Sequence, residues 1–267
     1  MAIDVQQKGP IRIITMSGHA STQSFSTQFL PLIAQAIDHG LNDPETKGLV
    51  ITGEGRFFSA GADIHAFQSA INEQTAPELI RSLTGILHPL LQRIRTSSTI
   101  VIAALNGVSA GGGLGLALAC DARIGTHDAR MAASYAGMGL SPDGGTTWLL
   151  PRLVGEPCAR RFFLNNDVWS AQEAYDYGAI DMLVDDDSLM STALALATMW
   201  SSWGDHTKEA TKHLLHVQSD HDFATHLDHE RTLIEAAGTT EAFREGVAAF
   251  LEKRTPHFSE TNSRHGV

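Results

Sequence analysis

Thr99-Ile100-Val101-Ile102-Ala103-Ala104-Leu105 runs directly into Asn106-Gly107-Val108-Ser109-Ala110-Gly111-Gly112-Gly113, and the fold is predicted most directly from this stretch. The residues up to Leu105 are nearly all apolar, which is typical of a parallel strand that is covered on both faces. The glycines that follow favour a tight turn, because glycine adopts positive φ angles without a steric penalty. Leu114 to Cys120 is apolar again and predicts a buried helix. The stretch therefore predicts a strand, a glycine-rich turn and a helix in succession.

The segments before and after this stretch repeat the alternation of strand and helix. Ile11 to Met16 and Gly48 to Gly53 are predicted strands, and apolar residues recur at helical spacing between them. A helix over about 78–94 is predicted before the strand at Thr99, and Arg123 to Gly125 predicts a further strand. Parallel strands joined by crossover helices follow from this alternation. The fold class is therefore α/β.

The C-terminal part of the sequence is predicted to be mostly helical. The predicted helices are Ala171 to Tyr177, Ser188 to Trp203, Lys208 to His216, Phe223 to Ala237 and Thr240 to Lys253. We therefore expect a core over residues 1–200 and a helical C-terminal region over residues 201–267.

Composition limits the class of protein. The chain has 267 residues, of which 43% are hydrophobic and 18% charged, and a formal net charge of −11. This acidic balance argues against a nucleic-acid partner, because phosphate binding needs a clustered basic surface. No apolar run reaches the roughly 18 residues that a membrane span needs. We expect a soluble protein with no membrane or nucleic-acid partner.

The two cysteines, Cys120 and Cys158, form neither a metal spacing nor a redox pair, which suits a reducing compartment. The N-terminus carries acidic and polar residues where a signal peptide has a basic start and an apolar centre, so we expect a cytoplasmic protein. The C-terminal histidines lie at irregular offsets, and we expect no metal site. These histidines are His213, His216, His221, His226 and His229.

Two turns of small residues are candidates for a ligand site. The glycine-rich turn opens a helix, whose first N–H groups are unpaired and lie at the positive end of the helix dipole. It lacks the lysine of a P-loop and the glycine spacing of a dinucleotide fingerprint. Ser59-Ala60-Gly61-Ala62-Asp63-Ile64 follows the strand that ends near Thr52, and ligands bind at this edge of an open α/β sheet. One backbone donor from each turn would stabilise an oxyanion; the alternative for the glycine-rich turn is close packing of helix on strand.

The chain resembles the crotonase (enoyl-CoA hydratase/isomerase) superfamily in segments spread along its length. These segments are Ser59 to Ile64, Asn106 to Gly113 with Cys120-Asp121, Gly139-Leu140-Ser141-Pro142-Asp143-Gly144-Gly145 continuing to Gly155, and Glu245 to Arg254. The resemblance implies a crotonase-like spiral of ββα units with a helical C-terminal region, and assembly as a homotrimer or a dimer of trimers. The loop over residues 18–25 departs from the family pattern, which leaves its contacts with CoA open.

The resemblance also implies a substrate and its contacts. The backbone N–H groups of Ala62 and Gly112 would hold the thioester oxygen of an acyl-CoA, with no cofactor beyond the CoA thioester itself. Six residues are candidates for substrate contacts near the acyl group: Ala60, Asp63, Ile64, Tyr135, Met138 and Trp148. Phe250 and Lys253 would contact the adenine and the 3′-phosphate, although a basic residue at a helix C-terminus is also favourable in itself.

The number of carboxylates in the site distinguishes the hydratases of the family from its isomerases. Hydratases of the family use two glutamates, and counting along this sequence puts their positions at Gly115 and Tyr135, neither of which can do that work. Asp143 lies where isomerases of the family carry an acid and a dehalogenase branch carries a nucleophile. The alternative is a turn residue, because Pro-Asp-Gly is a favourable turn sequence. One carboxylate suits a reaction that removes a proton from carbon and returns it elsewhere.

We therefore expect an acyl-CoA isomerase that acts through an enolate-like intermediate, with Asp143 as the proton shuttle. The sequence most resembles the ring-1,2-epoxyphenylacetyl-CoA isomerase branch, whose relatives also shift double bonds in Δ3-enoyl-CoA esters. The alternatives are an enoyl-CoA hydratase, a hydrolase or dehalogenase with Asp143 as nucleophile, and a non-catalytic acyl-CoA binding protein. His65 and His88 lie near the predicted site, but a lone histidine on a helix is more typical of a surface position.

Overall fold

The structure is a computed structural model that describes residues 2–258, and its strands form two sheets. The strands are β1 (Ile3–Lys8), β2 (Ile11–Met16), β3 (Gly48–Gly53), β4 (Phe57–Ser59), β5 (Ile100–Leu105), β6 (Val108–Ala110), β7 (Ala122–Thr126), β8 (Arg130–Ala132), β9 (Val168–Ser170) and β10 (Met182–Val184). The larger sheet has the order β1-β2-β3-β5-β7-β10 and is parallel except for β1. The smaller sheet has the order β4-β6-β8-β9, with β9 antiparallel.

Helices connect and cover these strands. They are α1 (His19–Thr22), α2 (Leu30–Asn42), α3 (Ile64–Asn72), α4 (Ala76–Thr96), α5 (Gly112–Ala119), α6 (Thr146–Val154), α7 (Glu156–Leu164), α8 (Ala171–Asp176), α9 (Leu189–Ser201), α10 (Asp205–Val217), α11 (Phe223–Ala237) and α12 (Glu241–Glu252). Short 3-10 turns occur at Ala136–Met138 and Asp186–Ser188. No helix in residues 2–258 is long and apolar enough to cross a membrane.

The predicted ββα units are present. Strand β3 is followed by the short strand β4 and helix α3, and β5 is followed by β6 and α5. In each unit the long strand joins the larger sheet and the short strand joins the smaller one, so the chain crosses between the sheets once per unit. The small-residue turns lie between each short strand and its helix, which places both of them at the same end of neighbouring units.

The larger sheet is covered on both faces, which explains its uniformly apolar central strand. Every residue of β5 is buried. One face packs against the core that includes Leu30, Leu90 and Leu114, from helices α2, α4 and α5. The other face packs against α9 through Leu189 and further alanines. Alternate residues of β5 therefore enter two different cores, as a buried parallel strand requires.

The C-terminal helices are joined to the core by a buried ion pair. The Lys212 Nζ of α10 lies 2.9 Å from Asp121 Oδ2, and both side chains are about nine-tenths buried. Lys212 also donates to the carbonyls of Ile94 and Thr99. The helices expected within residues 201–267 are present as α10, α11 and α12 and end at Glu252, and residues 259–267 lie outside the described residues. The boundary at residue 200 stays a prediction.

Candidate active site

A cavity of about 660 Å³ lies between helices α3 and α4 and the two small-residue turns. Apolar side chains from α3 and α4 form one wall, among them Phe67, Leu83 and Leu87. The turns before α3 and α5 form the opposite wall, and Asp143 lies at the edge that follows Pro142. A mostly apolar cavity with a few convergent polar groups is the usual form of a small-molecule site.

The two turns present unpaired backbone donors to this cavity. The Ala60 N–H donates to the Ser21 carbonyl at 2.8 Å, and the Gly61 carbonyl accepts from Phe25 N–H at 3.1 Å. Ala62 N–H and Gly112 N–H have no acceptor within the described residues. Gly112 is the first residue of α5, so its N–H has no partner in the helix and lies at the positive end of the helix dipole.

Gly61 explains how closely the two turns approach each other. Its φ is +88°, and a β-carbon there would lie 2.8 Å from the Ala110 carbonyl oxygen and 3.8 Å from Gly112 N. A side chain at position 61 would therefore push the turns apart. The turns are therefore in contact, and Ala62 and Gly112, one from each turn, line the same cavity.

The backbone at Asp143 is held by three hydrogen bonds to one atom. Its carbonyl oxygen accepts from the Tyr135 hydroxyl at 3.0 Å, from the Thr146 hydroxyl at 2.9 Å and from Thr146 N–H at 3.3 Å. Thr146 is the first residue of α6 and is fully buried. The turn that carries Asp143 is therefore fixed to a helix and to a buried aromatic residue.

The carboxylate of Asp143 contacts a histidine. Its Oδ1 lies 2.8 Å from Nε2 of His88, and the two side chains are 40% and 54% exposed. The carboxylate of Asp143 therefore lines the cavity beside a polar partner and within reach of solvent.

Asp143 supplies the negative charge of the cavity. Of the lining residues in the described part of the chain, it alone is an acidic or basic residue of the Asp, Glu, His, Lys or Arg type. Burial, and next the charge of Asp143, raise the pKa of Tyr135. The Tyr135 hydroxyl is therefore a neutral donor, and it is already used on the Asp143 carbonyl.

Gly115 packs directly under the Asp143 turn. A β-carbon at this position would lie 2.5 Å from the carbonyl oxygen of Gly144 and 3.1 Å from its carbonyl carbon. Real β-carbons are not found this close to backbone atoms, so a side chain at 115 would displace the turn. The structure therefore has no room for a glutamate at the first position where hydratases of the family are expected to carry one.

Most of the residues predicted near the acyl group line one cavity. They are Ala60, Ala62, Ile64, Gly112, Tyr135, Met138 and Asp143. Asp63 does not line it: its carboxylate caps α3 by accepting from His65 N–H at 2.9 Å and Ala66 N–H at 3.3 Å. Asp63 thus fixes the start of the helix that follows the Ala62 turn.

Three predicted contact residues lie elsewhere. Trp148 is on the side of α6 that faces α10, where its ring centroid lies 4.9 Å from that of His216 with the two rings tilted. The Arg152 guanidinium lies over the Trp148 ring, 3.4 Å from its centroid. Phe250 is 84% exposed on α12, and Lys253 ends this helix with a φ of +55°. None of them lines the cavity. Trp148 lies away from the cavity because Leu149 and Leu150 take the buried side of α6, and its contact with substrate stays a prediction.

Sequence reasoning did not predict His88 as a site residue. A signal for it was present, because Ile80, Leu83, Thr84, Leu87 and His88 follow the spacing of one helical face, and the first four line the cavity. Ser134 and Asn166 were also missed. Both line the cavity with a φ of +55°, which is unusual for residues other than glycine.

The C-terminal histidines form a packing cluster. The rings of His221 and His229 lie 4.5 Å apart, and those of His213 and His229 stack at 6.1 Å. Among residues 2–258, no group of three or more His, Cys, Asp or Glu side chains is arranged to hold a metal ion.

The cavity brings together groups that can act on a carbonyl compound. The unpaired N–H groups of Ala62 and Gly112 are donors of the kind that bind a carbonyl oxygen, and the carboxylate of Asp143 is a group of the kind that moves protons. The apolar lining suits an apolar substituent.

Comparison with known proteins identifies the family. The enoyl-CoA hydratase/isomerase family model matches residues 6–261, and the chain belongs to this family of acyl-CoA enzymes. It is 33% identical over 253 residues to the 1,2-epoxyphenylacetyl-CoA isomerase of Escherichia coli K12, covering 95% of this chain and 96% of that protein. It is 29% identical to the 2,3-dehydroadipyl-CoA hydratase of the same organism, covering 95% and 97%.

Solved structures confirm the fold. An enoyl-CoA hydratase from Polaromonas sp. JS666 superposes with a TM-score of 0.87 at 32% identity, covering 96% of this chain and 99% of that one. The crotonase-like arrangement predicted from the sequence is therefore confirmed along nearly the whole chain.

Proposed function

We propose that the protein is an acyl-CoA isomerase that acts through an enolate-like intermediate, with Asp143 moving the proton. The observation that carries this proposal is one carboxylate beside two unpaired backbone donors, with no room for a second acid at Gly115. The 33% identity to a protein named 1,2-epoxyphenylacetyl-CoA isomerase supports it. Enoyl-CoA double-bond isomerisation and epoxyphenylacetyl-CoA isomerisation are the two reactions we propose to test.

The proposed chemistry of double-bond isomerisation is a proton transfer between two carbons of one substrate. The Asp143 carboxylate takes a proton from the carbon next to the thioester, and the electron pair moves toward the thioester oxygen. Hydrogen bonds from Ala62 N–H and Gly112 N–H stabilise the charge that develops there. The resulting carboxylic acid returns the proton to a carbon further along the acyl chain, and the double bond moves. No cofactor beyond the CoA thioester is needed, because the reaction changes no oxidation state overall.

Assembly as a homotrimer or a dimer of trimers is part of the proposal. Large apolar side chains are exposed on the C-terminal helices, for example Phe223 at 77%, Ile234 at 73% and Leu251 at 75%. An isolated chain rarely exposes so much apolar surface in one region, so contact with further copies is expected. Sedimentation equilibrium measures the mass directly, and a monomer at micromolar concentration would contradict this part. A cytoplasmic location is proposed as well, since Cys120 and Cys158 are unpaired.

The proposal is tested by turnover on a panel of Δ3-enoyl-CoA, epoxyphenylacetyl-CoA and crotonyl-CoA esters. We expect the wild type to isomerise at least one of the first two, and Asp143→Asn to lose about 10²- to 10⁴-fold in turnover. Acyl-CoA binding, measured by calorimetry with the same variant, is expected to remain. Asp228→Asn, an exposed aspartate on α11, is the matched control. Full turnover in Asp143→Asn would contradict the assignment, and loss of crotonyl-CoA absorbance would indicate a hydratase.

A second candidate is a hydrolase that uses Asp143 as nucleophile, and the nearby His88 favours it. In that reaction the carboxylate attacks the thioester carbonyl and CoA leaves as the thiolate, which takes a proton from solvent. Water then cleaves the resulting anhydride, which releases the free acid and restores the Asp143 carboxylate. A histidine beside the carboxylate is suitably placed to take a proton from that water. Rapid quench followed by mass spectrometry separates the candidates, because a covalent acyl-enzyme forms only in the hydrolase.

A further inference from the structure

The two carboxylate oxygens of Asp143 differ in their hydrogen bonding. Oδ1 is 2.8 Å from His88 Nε2, and Oδ2 has no hydrogen-bond partner within the described residues. Asp143 lines the acyl cavity. As the base of the proposed function, the Asp143 carboxylate is a hydrogen-bond acceptor, and we assign the donated proton of this contact to Nε2 on that basis. One oxygen is thus held by the protein, and the other is left to exchange a proton with a ligand.

His88 is the side chain that fixes the direction of this carboxylate. The bonds from Tyr135 and Thr146 hold the backbone carbonyl of Asp143 but do not reach its carboxylate. In the described part of the chain, the carboxylate makes its one hydrogen bond with His88. Without that hydrogen bond, the Asp143 side chain is free to move among its staggered rotamers.

Helix α4 carries His88 and packs against the turn of Asp143. Leu87, the preceding residue, is 3% exposed, and its Cδ2 would lie 3.6 Å from a β-carbon added to Gly144. The helix therefore packs against the same turn that carries Asp143. His88 also extends the helical face of Leu83 and Leu87, which line the cavity. The imidazole reaches the carboxylate from helix α4, at the residue that precedes Pro89 within that helix.

We propose that His88 is a positioning residue: it holds Asp143 Oδ1 so that Oδ2 faces the acyl group for proton transfer. This inference rests on the proposed function of Asp143. The rate of a proton transfer depends steeply on the placement of the base, because a misdirected carboxylate spends less time within reach of the carbon. The thioester oxygen is held by other groups, the N–H donors of Ala62 and Gly112, so His88 acts on turnover and not on binding.

Three variants test this role. His88→Ala removes the donor, and His88→Gln keeps an N–H group that can reach the same oxygen. His65→Ala is the matched control, since His65 is an exposed histidine on the neighbouring helix α3 whose side chain makes no hydrogen bond within the described residues. Each variant is assayed for kcat and KM on the ester that the wild type isomerises, with circular dichroism to confirm folding.

We expect His88→Ala to lower kcat about 10- to 100-fold, the range of a charge-assisted hydrogen bond, with KM within about 3-fold of the wild type. His88→Gln is expected to recover most of kcat, and His65→Ala to match the wild type. An unchanged kcat in His88→Ala, or a His88→Gln variant as impaired as the alanine variant, overturns the positioning role while the proposed function stands.

Two further outcomes separate this inference from the reaction itself. If the wild type isomerises no ester of the panel, the proposed function fails and this inference fails with it. If His88→Ala accumulates a covalent acyl-enzyme, detected as a mass increase on Asp143, histidine acts on water in a hydrolase and the positioning role is wrong. Absence of the adduct, together with recovery in His88→Gln, supports positioning.

Discussion

The hydroxyl of Tyr135 donates to the backbone carbonyl of Asp143 at 3.0 Å. Tyr135 is buried, and this hydrogen bond joins it to the residue eight positions further along the chain. The bond therefore links the two ends of the segment that leads to the candidate proton shuttle. The same carbonyl accepts from Thr146 at the start of α6. Tyr135 lies at the second position where the family resemblance indicates a glutamate in hydratases. In this protein the residue at that position instead holds the backbone of Asp143.

Tyr135→Phe is expected to loosen the Asp143 turn. The change removes one hydroxyl and leaves the ring, so the free energy of unfolding should fall by about 1 kcal/mol, the usual net value of one hydrogen bond. Turnover should fall several-fold because Asp143 is less well placed. Urea denaturation and steady-state kinetics measure the two effects. Turnover equal to that of the wild type would show that the Thr146 bonds alone hold the turn.

The same residue predicts a change of stability at alkaline pH. Burial raises the pKa of Tyr135 above its ordinary value of 10.0, so the folded state keeps the proton at a pH where the unfolded chain has lost it. The contribution of this group to stability is complete below about pH 10 and declines as the pH rises beyond it. The stability advantage of the wild type over Tyr135→Phe should therefore shrink above about pH 10. Denaturation curves from pH 8 to pH 11 measure this difference, and an advantage that grows over that range contradicts the prediction.

Gly115→Ala is expected to impair the site more than its small size suggests. The added methyl group would lie 2.5 Å from the Gly144 carbonyl oxygen, so α5 or the Asp143 turn must move. Overpacking of this kind costs about 1–3 kcal/mol of stability. We expect a lower denaturation midpoint and at least a 10-fold loss of kcat. Gly85→Ala is the control, because a β-carbon at Gly85 meets no atom within 4 Å. A Gly115→Ala variant that matches this control would contradict the close packing.

The long buried elements were predictable from the sequence because their apolar period is clear. The strand at Ile100–Leu105 and the helix at Phe223–Ala237 agree with the predicted segments to within a residue. The edge strand Ile3–Lys8 and the short strands of the smaller sheet were not predicted from the sequence. Three residues such as Phe57–Ser59 carry too little pattern, and their pairing is set by the neighbouring units.

The residues of the candidate site also differ in how well the sequence predicts them. Ala62, Gly112 and Asp143 were predicted from local turn chemistry and the resemblance, and the structure places them around one cavity, although their roles stay predictions. His88 was missed because its contact joins residues 55 positions apart, which only the packing of α4 determines. The position of Trp148 away from the cavity was not predictable, because sequence alone did not show which side of α6 faces the C-terminal helices.

The buried pair of Lys212 and Asp121 predicts how strongly the C-terminal helices are attached to the core. Burial lowers the pKa of Lys212, and the neighbouring charge of Asp121 opposes this effect. Lys212→Met removes the cation and leaves a buried carboxylate, whose Oδ2 then accepts from Val101 N–H alone. We expect a loss of about 3 kcal/mol. Adding Asp121→Asn removes the unpaired charge, so the double variant should recover part of the lost free energy of unfolding. Urea denaturation of the single and double variants measures the loss and the recovery.

The two cysteines are expected to differ in reactivity by their burial. Cys120 is fully buried, its Sγ donates to the Leu116 carbonyl at 3.3 Å, and burial raises its pKa to about 12. Cys158, on helix α7, is partly exposed. The thiolate is the reactive form, so iodoacetamide at about pH 8 should label Cys158 in the native protein and both residues in urea. Peptide mass spectrometry locates the label, and Cys158→Ser should leave the native protein unlabelled. Labelling of Cys120 as fast as that of Cys158 under native conditions would show that the core around α5 opens far more often than its packing implies.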